Sequence, residues 1–96
     1  MQKDRLVANV ARGAKFLDKE EPGWFSRINL ESLHMGHCHQ CVLGQLFGDF
    51  FEGLNRFGWR DPADEAFGMN DVYGRYRTLG EAWVKEIEKR RENAKT

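Results

Sequence analysis

Every histidine and every cysteine of the chain, three of one and two of the other, lies within His34-Met35-Gly36-His37-Cys38-His39-Gln40-Cys41. Imidazole nitrogen and thiolate sulfur are the donors zinc prefers. Cys38 and Cys41 stand at the C-x-x-C spacing whose turn lets two sulfurs reach one ion, with His34 or His37 to add a nitrogen. Structural zinc sites usually join two distant segments, and this sequence offers no second C-x-x-C, no H-x-x-x-H and no further cysteine. The ion would need a second histidine from the same loop, an acidic oxygen or a second protomer, so a homodimer is one way to complete the site. The plainer reading makes Cys41 a buried residue in the first turn of a helix, with the histidines exposed on the loop before it.

The same loop could carry thiol chemistry. A C-x-x-C at a helix N-terminus can hold its first sulfur as thiolate, with His37 and His39 assisting, but a thioredoxin-like frame needs strands that this sequence does not offer. A Cys38 and His34 pair could form a nucleophile and base, yet no third orienting group or oxyanion site can be named. The expectation is a protein that is not an enzyme, with no cofactor other than zinc as the alternative.

The elements that must position this loop read as helices. Leu6, Val10, Ala14 and Leu17 recur at helical spacing, with Arg12, Lys15 and Lys19 on other faces, until Pro22-Gly23 forces a stop; Trp24 and Ile28 then fold back as anchors. A second helix is expected from within the His/Cys loop through Val42 to Phe57, ending at Gly58. Its apolar face is broad, so it should be the central helix. Gly44 and Gly48 lie four apart on it, where another helix, or a ligand or partner backbone, could approach closely. Asp61-Pro62-Ala63-Asp64 opens a short third helical segment that Gly68 ends. Thr78-Leu79-Gly80-Glu81 has capping-box spacing for the last helix, which buries Leu79, Trp83 and Ile87 and pairs Glu81 with Lys85 and Glu86 with Arg90 outside. Residues 89–96 lose the apolar stripe and should fray.

Ninety-six residues allow one small domain. Fifteen basic side chains balance fifteen acidic ones and are mixed along the whole chain, so no overall field draws in nucleic acid or an anionic membrane. Arg75-Tyr76-Arg77 and Lys89-Arg90-Arg91 could form a local phosphate-binding patch, but Glu81, Glu86, Glu88 and Glu92 would meet the same phosphates, and a solvated helix face is the expectation. No run approaches the roughly 18 apolar residues of a membrane span, and the N-terminus is amphipathic, which places the chain in the cytoplasm.

Gly13-Ala14-Lys15-Phe16-Leu17-Asp18 leading to Glu21-Pro22-Gly23-Trp24, then Arg27-Ile28-Asn29-Leu30, then Cys41-Val42-Leu43-Gly44-Gln45-Leu46-Phe47-Gly48-Asp49, and a closing Leu79-Gly80-Glu81-Ala82-Trp83 helix with Arg90-Arg91 follow one another in a distinctive order. Over nearly the whole chain this resembles a family of small uncharacterised proteins of actinobacteria and their bacteriophages. The resemblance implies a phage setting and, through it, the host cell cytoplasm; it implies no mechanism.

The expected fold is all-α: a single domain over residues 1–96, built as a bundle of three main helices plus short helical turns. Leu43, Leu46, Phe47, Phe50 and Leu54 should pack against Leu6, Val10, Leu17, Trp24, Leu79, Trp83 and Ile87. The expected function is that of an accessory protein that binds a host or viral protein, with Phe25, Trp59, Tyr73 and Tyr76 as exposed anchors beside the Gly44/Gly48 groove. The alternative is a zinc-stabilised or nucleic-acid-binding regulatory module using the 34–41 loop and the basic C-terminal helix.

Overall fold

The computed structural model describes residues 2–56 and 76–94. Among these the chain is all-α. The first helix, α1, spans Gln2–Glu20; a 3-10 turn follows at Trp24–Arg27; α2 is Val42–Phe47, α3 is Phe50–Arg56, and α4 is Tyr76–Ala94. Trp59, Tyr73 and the helix opening expected at residues 61–64 lie outside the described residues.

One face of α1 carries Leu6, Val10, Ala14 and Leu17 into the core, and α4 lies along it with Leu79, Ala82, Trp83 and Ile87. The first helix stops as its sequence dictates. Glu21 N–H still reaches the Leu17 carbonyl (2.7 Å), then Gly23 takes φ +80° and turns the chain into the 3-10 turn. Trp24 and Ile28 are thereby driven inward, Trp24 completely, with its ring edge-on to Trp83 at 5.7 Å between centroids. The expected core is thus assembled, with Phe47 and Phe50 half-buried at its margin. Full burial contributes roughly 1.5–3 kcal/mol for each large aliphatic side chain, which is where a domain this small finds its stability. No helix among the described residues is long and apolar enough to cross a membrane.

Four expectations are corrected. The helix expected from Val42 to Phe57 is broken at Gly48, whose φ of +93° ends α2 while its N–H closes on the Gly44 carbonyl at 2.7 Å. Asp49 then restarts the chain, its Oδ1 accepting the Phe51 N–H at 2.7 Å as the N-cap of α3. Thr78 is no cap either, because α4 already begins at Tyr76, and Glu81 pairs back to Arg77 (3.7 Å) instead of forward to Lys85. Nor does the chain fray at residue 89: α4 continues to Ala94, because the two arginines that end the apolar stripe are tied to the body of the protein.

Arg90 reaches Asp18 on α1 through both Nε and Nη2 (2.9 Å each) and Glu86 at 2.6 Å. Arg91 donates to the carbonyls of Phe25 and Ile28. Burial pushes the Asp18 carboxyl up, but hydrogen bonds from Arg90 and the Trp24 indole N–H, together with the Arg90 charge, outweigh it and hold the group below the ordinary carboxylate value. A group depressed in the folded state stabilises above its unfolded pKa, and that contribution is lost as pH falls through the folded value. Asp18→Asn should therefore be less stable than wild type at pH 7, with the gap closing below about pH 4, as read from urea midpoints across an acid series.

Candidate functional site

The segment between the 3-10 turn and α2 is held by side chains that imitate backbone. Asn29 Oδ1 accepts the Glu31 N–H, and Gln45 on α2 spans the loop, accepting from Asn29 N–H at 2.6 Å while donating to the carbonyls of Asn29 and Gln40. Within it, His34 N–H donates to Gln40 O, while Gln40 and Cys41 N–H groups both donate to His37 O. The result is a compact run of turns seated on the N-terminus of α2.

The five chemically capable residues divide sharply. Cys41 is buried and serves as the N-cap of α2, its sulfur accepting the Gly44 N–H at 3.2 Å. Burial pushes its thiol up against the opposing pull of the helix N–H groups, and its sulfur is engaged in capping α2. The plainer of the two cysteine readings holds for this residue. Cys38, in contrast, is exposed.

The histidines are separated by which nitrogen is engaged. His34 Nδ1 accepts the Gly36 N–H (3.1 Å) and His37 Nδ1 accepts the His39 N–H (3.2 Å). A neutral imidazole that accepts at Nδ1 carries its proton on Nε2, so the lone pair of each of these rings is engaged within the loop. His39 is the reverse. Its Nδ1 lies 2.7 Å from the Gly48 carbonyl, which can only accept, so Nδ1 carries the proton and Nε2 keeps its lone pair.

The predicted ligand set of Cys38, Cys41, His34 and His37 is accordingly not gathered. Among the described residues the group whose donor atoms converge is Cys38, His39 and Asp49, all within 4.8 Å of one another. His39 and Asp49 lie outside the expected set: the sequence offers His39 only as a helper of the thiol, and an unbroken helix from Val42 to Phe57 leaves no reason for Asp49 to face the loop. The adjacent Gly48-Asp49 pair, a helix stop followed by a helix start, was the signal that could have exposed it.

Gly44 and Gly48 do not form a groove for another helix. A Cβ on Gly44 would overlap the Cys38 carbonyl oxygen and stand 2.7 Å from the His39 carbonyl carbon, so the backbone that approaches it is the His/Cys loop itself. The close helix approach occurs at Gly53, where a Cβ would meet Leu43 Cβ at 2.8 Å and where α3 packs on α2. Of the expected anchors, Phe25 is half-buried edge-on to Trp24 and Tyr76 is half-buried against Gly36.

Tyr76 nevertheless borders a concavity. Leu33 and Met35 on one side and Tyr76, Gly80 and Val84 of α4 on the other wall an apolar groove of about 720 Å³, with Arg77, Glu81, Lys85 and Glu88 along its rim. Comparison of the chain with protein-family models, with curated proteins and with solved structures finds no match.

Proposed function

We propose that the protein acts by binding another protein, not by catalysis, and that the groove between Met35 and the outer face of α4 receives the apolar side of a partner helix. The observation that carries this is the lining. Leu33, Tyr76 and Val84 leave apolar surface open over the buried Met35 and beside a glycine at position 80, and the rim alternates in charge along Arg77, Glu81, Lys85 and Glu88. From Arg77 to Glu88 the groove follows α4 for about 17 Å, the length of three helical turns, which suits recognition through apolar anchors with salt-bridging flanks. The phage setting implied by the resemblance makes a host or viral protein the partner.

Nucleic-acid binding loses its best residues. Arg90 and Arg91 are spent on Asp18, Glu86 and the Phe25 and Ile28 carbonyls, so neither guanidinium can turn to phosphate without releasing α4. The test is capture from host lysate with wild type, Val84→Glu in the groove, and Val7→Glu on exposed α1 surface as control. One partner should be retained by wild type and Val7→Glu and fall at least about tenfold with Val84→Glu, the effect of a buried carboxylate against apolar anchors. Equal retention by both variants, or no reproducible partner, overturns the groove as a docking site.

A further inference from the structure

We propose that Cys38, His39 and Asp49 bind a divalent cation of the zinc class, three protein donors leaving a fourth coordination position open to solvent. The site is independent of the groove. It supplies the second segment that a C-x-x-C reading lacks, since Cys38 and His39 belong to the loop and Asp49 to the start of α3.

Sulfur, nitrogen and carboxylate oxygen are zinc's own donor set, and bonds of about 2.0–2.3 Å in a tetrahedron place such atoms roughly 3.3–3.8 Å apart. The three donors lie within 4.8 Å before any ion draws them in, so rotation of exposed side chains closes the difference. Each residue is already held in place by a hydrogen bond. The Nδ1–H of His39 is given to the Gly48 carbonyl, the arrangement that fixes tautomer and ring direction in metal-bound histidines. One oxygen of Asp49 is held by the Phe51 N–H, and among the described residues its carboxylate forms no ion pair. The Cys38 carbonyl accepts the Phe50 N–H at 2.8 Å, fixing the thiol-bearing residue against the start of α3.

On binding, the Cys38 thiol gives its proton to solvent, and thiolate, carboxylate and neutral imidazole around a doubly charged ion sum to no net charge. A thiolate in a three-donor set selects zinc and cobalt over magnesium and calcium.

The test uses the full chain, untagged, reduced and freed of metal by chelator, titrated with Co(II) and then with zinc. We expect one Co(II) per chain, a thiolate-to-cobalt charge-transfer band, and loss of that band on adding zinc. Cys38→Ser should abolish the band. Asp49→Asn keeps the helix cap, because asparagine caps as well as aspartate, so its expected loss of affinity, about 100-fold, reports coordination and not folding. His39→Ala should weaken binding as much, whereas His34→Ala and Cys41→Ala, checked for retained helicity, should bind as wild type. Absence of the band at excess Co(II) overturns the proposal, as does a band that survives Cys38→Ser or affinity unchanged in Asp49→Asn.

Discussion

Gly44→Ala is expected to lower the unfolding free energy by about 3 kcal/mol, although the exchange of glycine for alanine inside a helix ordinarily gains about 1 kcal/mol. The reversal comes from what a methyl group would meet. The atoms around Gly44 are the Cys38 carbonyl oxygen and the backbone of His39, which no rotamer change can move aside. Backing the loop away would stretch the Phe50 N–H bond to that same Cys38 carbonyl and so loosen the start of α3. Gly80 on α4 is the internal control, because a Cβ there finds only Met35 Cγ, at an ordinary 3.8 Å. Gly80→Ala should therefore stabilise by roughly 0.5–1 kcal/mol. Urea denaturation of the two variants should give shifts of opposite sign. A Gly44→Ala protein within about 0.5 kcal/mol of wild type would mean that the His/Cys loop does not sit on α2.

The contrast between those glycines marks where local sequence stops being informative. The stripes Leu6, Val10, Ala14, Leu17 and Leu79, Trp83, Ile87 are periodic within single helices, and their burial follows from period alone. The fold-back of Trp24 and Ile28 follows from Pro22-Gly23. The run from Val42 to Arg56 misleads because its apolar positions keep helical spacing across two helices, and only the positive φ of Gly48 and the cap at Asp49 divide them. Arg90 and Arg91 resist reading for another reason. They end an apolar stripe and so resemble a solvated tail, while their partners at Asp18, Phe25 and Ile28 lie far away in the chain. The candidate metal set has the same character. Sequence concentrates all the sulfur and imidazole in one loop, but which nitrogens are free is decided by backbone partners, and the oxygen donor comes from beyond the break that periodicity hides.

Trp24→Ala should be the most damaging side-chain truncation, costing about 4 kcal/mol and leaving a domain of this size near its unfolding threshold. Trp24 is completely buried, and it joins three parts of the fold at once. Its ring meets Trp83 of α4 edge to face, the Arg90 guanidinium lies over it at 5.8 Å, and its indole Nε1–H donates to Asp18 of α1 at 2.8 Å. Trp24→Phe separates these roles. It keeps most of the apolar volume but removes the donor, so its cost should fall to about 2 kcal/mol, part of it from the smaller ring. The Asp18 carboxylate would still be paired with Arg90, so the acid dependence of stability should shrink in Trp24→Phe without vanishing. A double-mutant cycle of Trp24→Phe with Asp18→Asn measures the indole bond directly. Because the Asp18 side chain is 43% exposed, solvent screening reduces the expected coupling to about 1 kcal/mol. Additive losses in that cycle would show that Trp24 holds the 3-10 turn through packing against Trp83 alone, and that α1 and α4 are joined at this end by Arg90 without help from the indole.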